Sequence, residues 1–128
     1  MERRVWVEIY GEKLVSNYRR IAERVKPADV LCVLKANAYG LGVRNFAAAL
    51  NNAGCGLFGV AEPFEAMELK AVCPKSHVQV LSSILPDEIP EMVRAGVVLP
   101  VIDLQTARLV SRAAARLGTR AKEIHKYL

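Results

Sequence analysis

A chain of 128 residues, 52% hydrophobic and 24% charged, has the make-up of one folded domain built on a single core. Its longest apolar runs are a handful of residues, against the ~20 needed to cross a bilayer, and its N-terminus carries no apolar secretory stretch, so a cytoplasmic protein without a membrane partner is expected. The net charge of +5 is uneven: residues 45–107 carry 3 basic and 7 acidic side chains, whereas residues 108–128 carry 6 basic and 1 acidic.

In chain order, Trp6-Val7-Glu8-Ile9 alternates like a strand and Gly11 punctuates it. Leu14, Val15, Tyr18, Ile21, Ala22 and Val25 then recur at helical spacing as far as Pro27. Val30 to Leu34 is apolar without alternation, the pattern of a strand covered on both faces in a parallel sheet, and Lys35 ends it. A glycine-bearing loop runs to Gly42, a helix passes through Phe46, Ala47 and Leu50, and a strand spans Leu57 to Ala61. A helix follows from about Pro63 to Ala71, with proline in the first turn, where its missing amide hydrogen has no partner to lose. The strand Val78 to Leu81 precedes Pro86-Asp87-Glu88, a helix start whose acids suit the helix dipole. A last strand, Val97 to Ile102, leads to a helix from about Leu104 to Leu117, capped by Gly118.

Leaving out the first strand, these are four β-then-α units, which predicts an α/β fold with a parallel sheet and helices outside. Right-handed crossovers allow either a (β/α)8 barrel or a doubly wound sheet, and four such units cannot close an eight-stranded barrel by themselves.

Cys32, Cys55 and Cys73 are odd in number and spaced by 23 and 18 residues, which fits neither a zinc motif nor a disulfide framework; free thiols are expected. His77 and His125 have no Cys, Asp or Glu at ligand spacing, and no metal site is expected. Arg108, Arg112 and Arg116 recur every four residues along one helix face, but with no aromatic residue interleaved they read as a solvated outer face, without a nucleic-acid partner.

Lys35 is the residue on which chemistry converges. Directly after five apolar residues its ammonium is expected to lose hydration, which favours the neutral, nucleophilic amine. Reactive groups of α/β folds collect at the carboxyl ends of strands, and strand alternation puts Leu31, Val33 and Lys35 on one face with Val30, Cys32 and Leu34 on the other.

The segment Lys35-Ala36-Asn37-Ala38-Tyr39-Gly40-Leu41-Gly42 closely resembles the part of alanine racemase in which a lysine bonds pyridoxal phosphate, with one departure: the family usually has histidine where this chain has Leu41. Trp6-Val7-Glu8-Ile9, Asn17-Tyr18, Gly59-Val60-Ala61, Glu65-Ala66 and Val80-Leu81 resemble its flanking regions, so the similarity runs from about residue 5 to about residue 122. The resemblance implies the N-terminal half of a (β/α)8 (TIM-like) barrel, four βα units preceded by an extra N-terminal strand. Residues 1–11 would form that strand, which in the family packs with a C-terminal β domain, and residues 12–128 a truncated barrel domain.

It further implies pyridoxal 5'-phosphate as cofactor, Lys35 as the lysine bonded to it and as catalytic acid or base, and Tyr39 as the tyrosine that hydrogen-bonds its phosphate. Val33 and Leu81 match apolar positions lining the cofactor site. The implied reaction is the interconversion of L- and D-alanine for peptidoglycan precursors. The family acts as a homodimer in which a tyrosine of the partner subunit's C-terminal domain is the second proton-transfer group. Lys126 aligns with a family lysine that is often carbamylated, but the tail around it differs in composition and it reads as a terminal charge. With the later barrel strands and the C-terminal domain beyond Leu128, little turnover is expected of this chain alone. A related racemase of other specificity and a non-catalytic, self-associating half-barrel are the alternatives, and the open strand edges predict an oligomer.

Overall fold

The apolar runs expected to be strands lie side by side in sequence order in the computed structural model, which describes residues 4–125. Helix α1 (Gly11–Arg24) leads to strand β1 (Cys32–Val33), a one-turn helical segment α2 (Lys35–Tyr39) and α3 (Val43–Asn52). Next come β2 (Leu57–Val60), α4 (Pro63–Val72), β3 (His77–Val80), α5 (Ile89–Ala95), β4 (Val98–Val101), α6 (Leu104–Leu117) and β5 (Lys122–His125). All neighbouring strands pair in parallel, in the order β1-β2-β3-β4-β5, and the register sets Val33 beside Gly59 and Gly59 beside Gln79. This is the expected α/β half-barrel architecture: strands joined by helices, with the sheet left open.

Alternation along the strands divides the sheet into two unlike faces. Leu34, Phe58, Val60, Val78, Val80 and Leu99 point to the helical side and form the buried core with Leu69 of α4, Met92 of α5 and Val110 of α6. On the other face Val33, Leu57, Gln79, Leu81 and Val98 are only half-buried, because no second layer covers them. The expectation that Val30 to Leu34 is covered on both faces is therefore met on one face alone.

Three elements depart from the sequence reading. Trp6 to Ile9 belong to no strand; the indole N–H of Trp6 and the hydroxyl of Tyr10 both donate to the Glu8 carboxylate at 3.0 Å, and Val5, Trp6 and Val7 stay exposed. Alternation makes a segment able to pair, but the ladder needs a neighbour, and no described strand lies beside it. The loop after Lys35 is instead the turn α2. Lys122 to His125, paired with β4, is a fifth strand that the apolar pattern did not announce.

Arg108, Arg112 and Arg116 are exposed on α6, as expected of an outer face. Cys32, Cys55 and Cys73 are free thiols, and the Cys55 thiol donates to the Leu57 carbonyl at 3.3 Å. No helix among the described residues is long and apolar enough to cross a membrane. Lys126 lies outside the described residues.

Candidate active site at the strand carboxyl ends

Strand β1 delivers the chain to the carboxyl end of the sheet, where the Leu34 amide donates to the Gly59 carbonyl at 2.8 Å and the Leu34 side chain is buried. Immediately beyond, the backbone reverses hand. Ala36, Asn37, Ala38 and Tyr39 have φ of 52°, 53°, 53° and 57°, and the first three have ψ of 50°, 48° and 49°. This is a left-handed helical turn made of residues with side chains, each costing roughly 1–2 kcal/mol relative to the right-handed form. Such a turn persists only where its surroundings over-determine it.

Several contacts do so. Within the turn, Gly40 N–H donates to the Ala36 carbonyl at 2.8 Å and Gly42 N–H to the Asn37 carbonyl at 2.9 Å. Gly40, at φ 84°, and Gly42, at φ 100°, carry the chain out through backbone conformations that other residues rarely adopt. The Asn37 side-chain oxygen accepts the Val43 N–H at 2.9 Å, which partners an otherwise free amide of the first turn of α3. The Ala38 methyl is buried in the core.

The last restraint comes from α4. Glu65 is a buried acid, 7% exposed, and its Oε1 accepts the Ala36 N–H at 2.5 Å. Its Oε2 accepts the N–H groups of Ala61 and Glu62 at 2.9 Å each, at the carboxyl end of β2. One carboxylate thus joins the ends of β1 and β2. The Ser82 hydroxyl, beyond β3, donates to the Ala61 carbonyl and extends the same seam to a third strand end.

Lys35 and Tyr39 are the first and last residues of α2, and both side chains are exposed, Tyr39 at 61%. The expected desolvation of Lys35 is not found, because its face of the sheet is uncovered. Val33 is half-buried in β1 and lines, with Tyr39, an apolar groove of about 270 Å³ between α1, β1 and α3 whose walls include Leu14, Tyr18, Leu34 and Phe46. Leu81 stands elsewhere, over Gly59: a methyl group at position 59 would lie 3.0 Å from Leu81 Cδ1 and 3.2 Å from Leu31 Cδ2. The four expected site residues are therefore brought to one end of the sheet but not to one cavity. Glu65 and Ser82 were not expected there. Glu62-Pro63 with Glu65 three residues after Glu62 is a helix-start pattern that marks Glu65 as an amide acceptor, while the Ser82 contact has no sequence signal.

A primary amine at a strand end, with a phenol four residues further on, can bond a carbonyl group and hold an anion. Among the described residues no group of three or more His, Cys, Asp or Glu side chains is placed to hold a metal ion.

The family described as alanine racemase, N-terminal domain, matches residues 9–125. An alanine racemase of Fusobacterium nucleatum is 36% identical over 110 residues, covering 85% of this chain and 31% of that protein. A crystal structure of alanine racemase from Bartonella henselae with covalently bound pyridoxal phosphate superposes with a TM-score of 0.83 at 32% identity, covering 91% of this chain and 33% of that one. A histidine racemase from Leuconostoc mesenteroides shares the fold, with a TM-score of 0.79 at 24% identity over 88% of this chain and 30% of that one. The chain thus spans about a third of the length of the relatives it matches.

Proposed function

Because the chain belongs to the alanine racemase N-terminal-domain family, we propose that it supplies the cofactor-lysine side of a pyridoxal-phosphate-dependent amino-acid racemase, with alanine as substrate and D-alanine for peptidoglycan as its use. The observation that carries this reading is the left-handed turn that directly follows Lys35, held by Glu65 of α4 through the Ala36 N–H and by hydrogen bonds within the turn. Strain of this kind concentrates at functional sites, and here it follows the one lysine of the resembling motif.

The residues present fit the cofactor. Lys35 offers an accessible amine to an aldehyde, Tyr39 a hydroxyl to a phosphate, and Leu81, closed over Gly59, an apolar wall on the uncovered face. When bound, pyridoxal phosphate supplies an electron sink for the charge left as a Cα proton departs. Lys35 would hold the cofactor through Nζ, and as a free amine would take or return that proton on one side of the substrate. Tyr39 would donate its O–H to the phosphate of the bound cofactor. Val33, in the groove beside Tyr39, and Leu81, over Gly59, would each exclude water on their own side of the strand end. Inversion needs a second acid–base group on the opposite side, and none of the residues above supplies it. We assign it to a partner subunit in a cytoplasmic homodimer, with residues 1–11 packed on a further β domain; the exposed Val5, Trp6 and Val7 support that packing.

The reading is tested by adding pyridoxal phosphate to the chain and following the visible band of the bonded cofactor. The band is expected in the wild type, strongly diminished in Lys35→Ala and weakened in Tyr39→Phe. An undiminished band in Lys35→Ala refutes it.

A further inference from the structure

Glu65 does more than start a helix. As the third residue of α4 it takes part in a capping box with Glu62, a role that uses one carboxylate oxygen: Oε2 accepts the Glu62 N–H and, beside it, that of Ala61. The other oxygen is turned to a residue 29 positions earlier, the Ala36 N–H at 2.5 Å. That amide sits between Lys35 and the rest of the left-handed turn, so its direction fixes where the lysine leaves the backbone. We propose that Glu65 is the positioning residue of Lys35, holding the turn that follows the lysine against the carboxyl end of β2. The inference rests on the cofactor-lysine reading for its functional meaning, though not for its geometry.

The acceptor pattern makes the requirement specific. An ionised carboxylate accepts at both oxygens, and here three backbone donors occupy them. A glutamine of the same length accepts at one oxygen only and presents N–H groups at the other position. In Glu65→Gln the oxygen serves either the Ala61 and Glu62 pair or Ala36. Two donors outweigh one, and the NH2 group then faces the Ala36 amide.

The test reads two quantities on the chain as it stands: hydrogen exchange of the Ala36 amide by NMR, and borohydride-fixed labelling of Lys35 by pyridoxal phosphate relative to the other lysines. In the wild type the Ala36 amide, although on an exposed residue, is expected to exchange slowly; exchange at the unprotected rate overturns the proposal without any variant. Glu65→Gln is expected to speed Ala36 exchange about tenfold or more and to lower the preference for Lys35 by a similar factor. Glu62→Ala, which removes only the reciprocal side-chain half of the capping box, is expected to change neither. Unaltered Ala36 exchange and Lys35 preference in Glu65→Gln overturn the proposal, as does an equal effect of Glu62→Ala. A wild type that protects Ala36 through Glu65 yet forms no adduct at Lys35 supports the restraint and refutes the cofactor reading, so the two fail separately.

Discussion

Gly59 pairs with Val33 across the β1–β2 register, and its missing side chain is what lets Leu31 and Leu81 meet above it. A methyl group there would lie 3.0 Å from one leucine tip and 3.2 Å from the other, both closer than ordinary contact. Both leucines border the uncovered face and can swing aside, so Gly59→Ala is expected to lower stability by at most about 1 kcal/mol. The branched Gly59→Val has less escape and is expected to cost about 1–3 kcal/mol, both measured by urea unfolding. At this scale the position of Lys35 at the carboxyl end of β1 was legible in the sequence, because an apolar run stops directly before it. The restraint by Glu65 was not, since its far partner is a backbone amide 29 residues away and an amide leaves no mark in a sequence. The exposure of Lys35 was also hidden: an apolar run before a lysine says that the strand is buried on one face, not that the next residue is.

Helix α6 shows how firmly local chemistry sets an element's ends. Asp103 accepts the Thr106 N–H at 2.7 Å at its start, and Gly118, at φ 62°, closes it. The Thr106 backbone N–H holds the Asp103 carboxyl below its ordinary range. A depressed carboxyl stabilises the fold fully above its unfolded value and loses that contribution as the pH falls through the lower folded value. Asp103→Ala is therefore expected to melt below the wild type at neutral pH, with the gap shrinking as the pH drops below about 4; a pH series of thermal melts checks it. Helices of this kind were readable from caps and periodicity. The opening strand and β5 were not, because pairing depends on neighbours: Trp6 to Ile9 alternate but meet no strand among the described residues, whereas Lys122 to His125 lack an apolar run and pair with β4. The turn α2 has no sequence signal, because of Ala-Asn-Ala-Tyr only asparagine favours left-handed backbone, and then as a single residue.

Across the molecule, β1 and β5 end the order β1-β2-β3-β4-β5 among the described residues, and the face that carries Val33, Gln79 and Val98 is only half-buried. Unpaired strand edges beside partly exposed apolar surface favour association. Sedimentation velocity is expected to show species above the mass of one chain, with the monomer fraction rising on dilution; a single monomer at all concentrations contradicts this. The βα alternation made the class of fold legible, while the openness of the sheet followed only from counting strands.

At issue is whether the strand end and its left-handed turn single out one amine among the chain's lysines. Peptide mapping after exposure to pyridoxal phosphate and borohydride answers that directly. The adduct is predicted on Lys35 ahead of every other lysine, with Lys75, an exposed residue just before the amino end of β3, as internal reference. Labelling spread evenly over the lysines, or sparing Lys35, would contradict it.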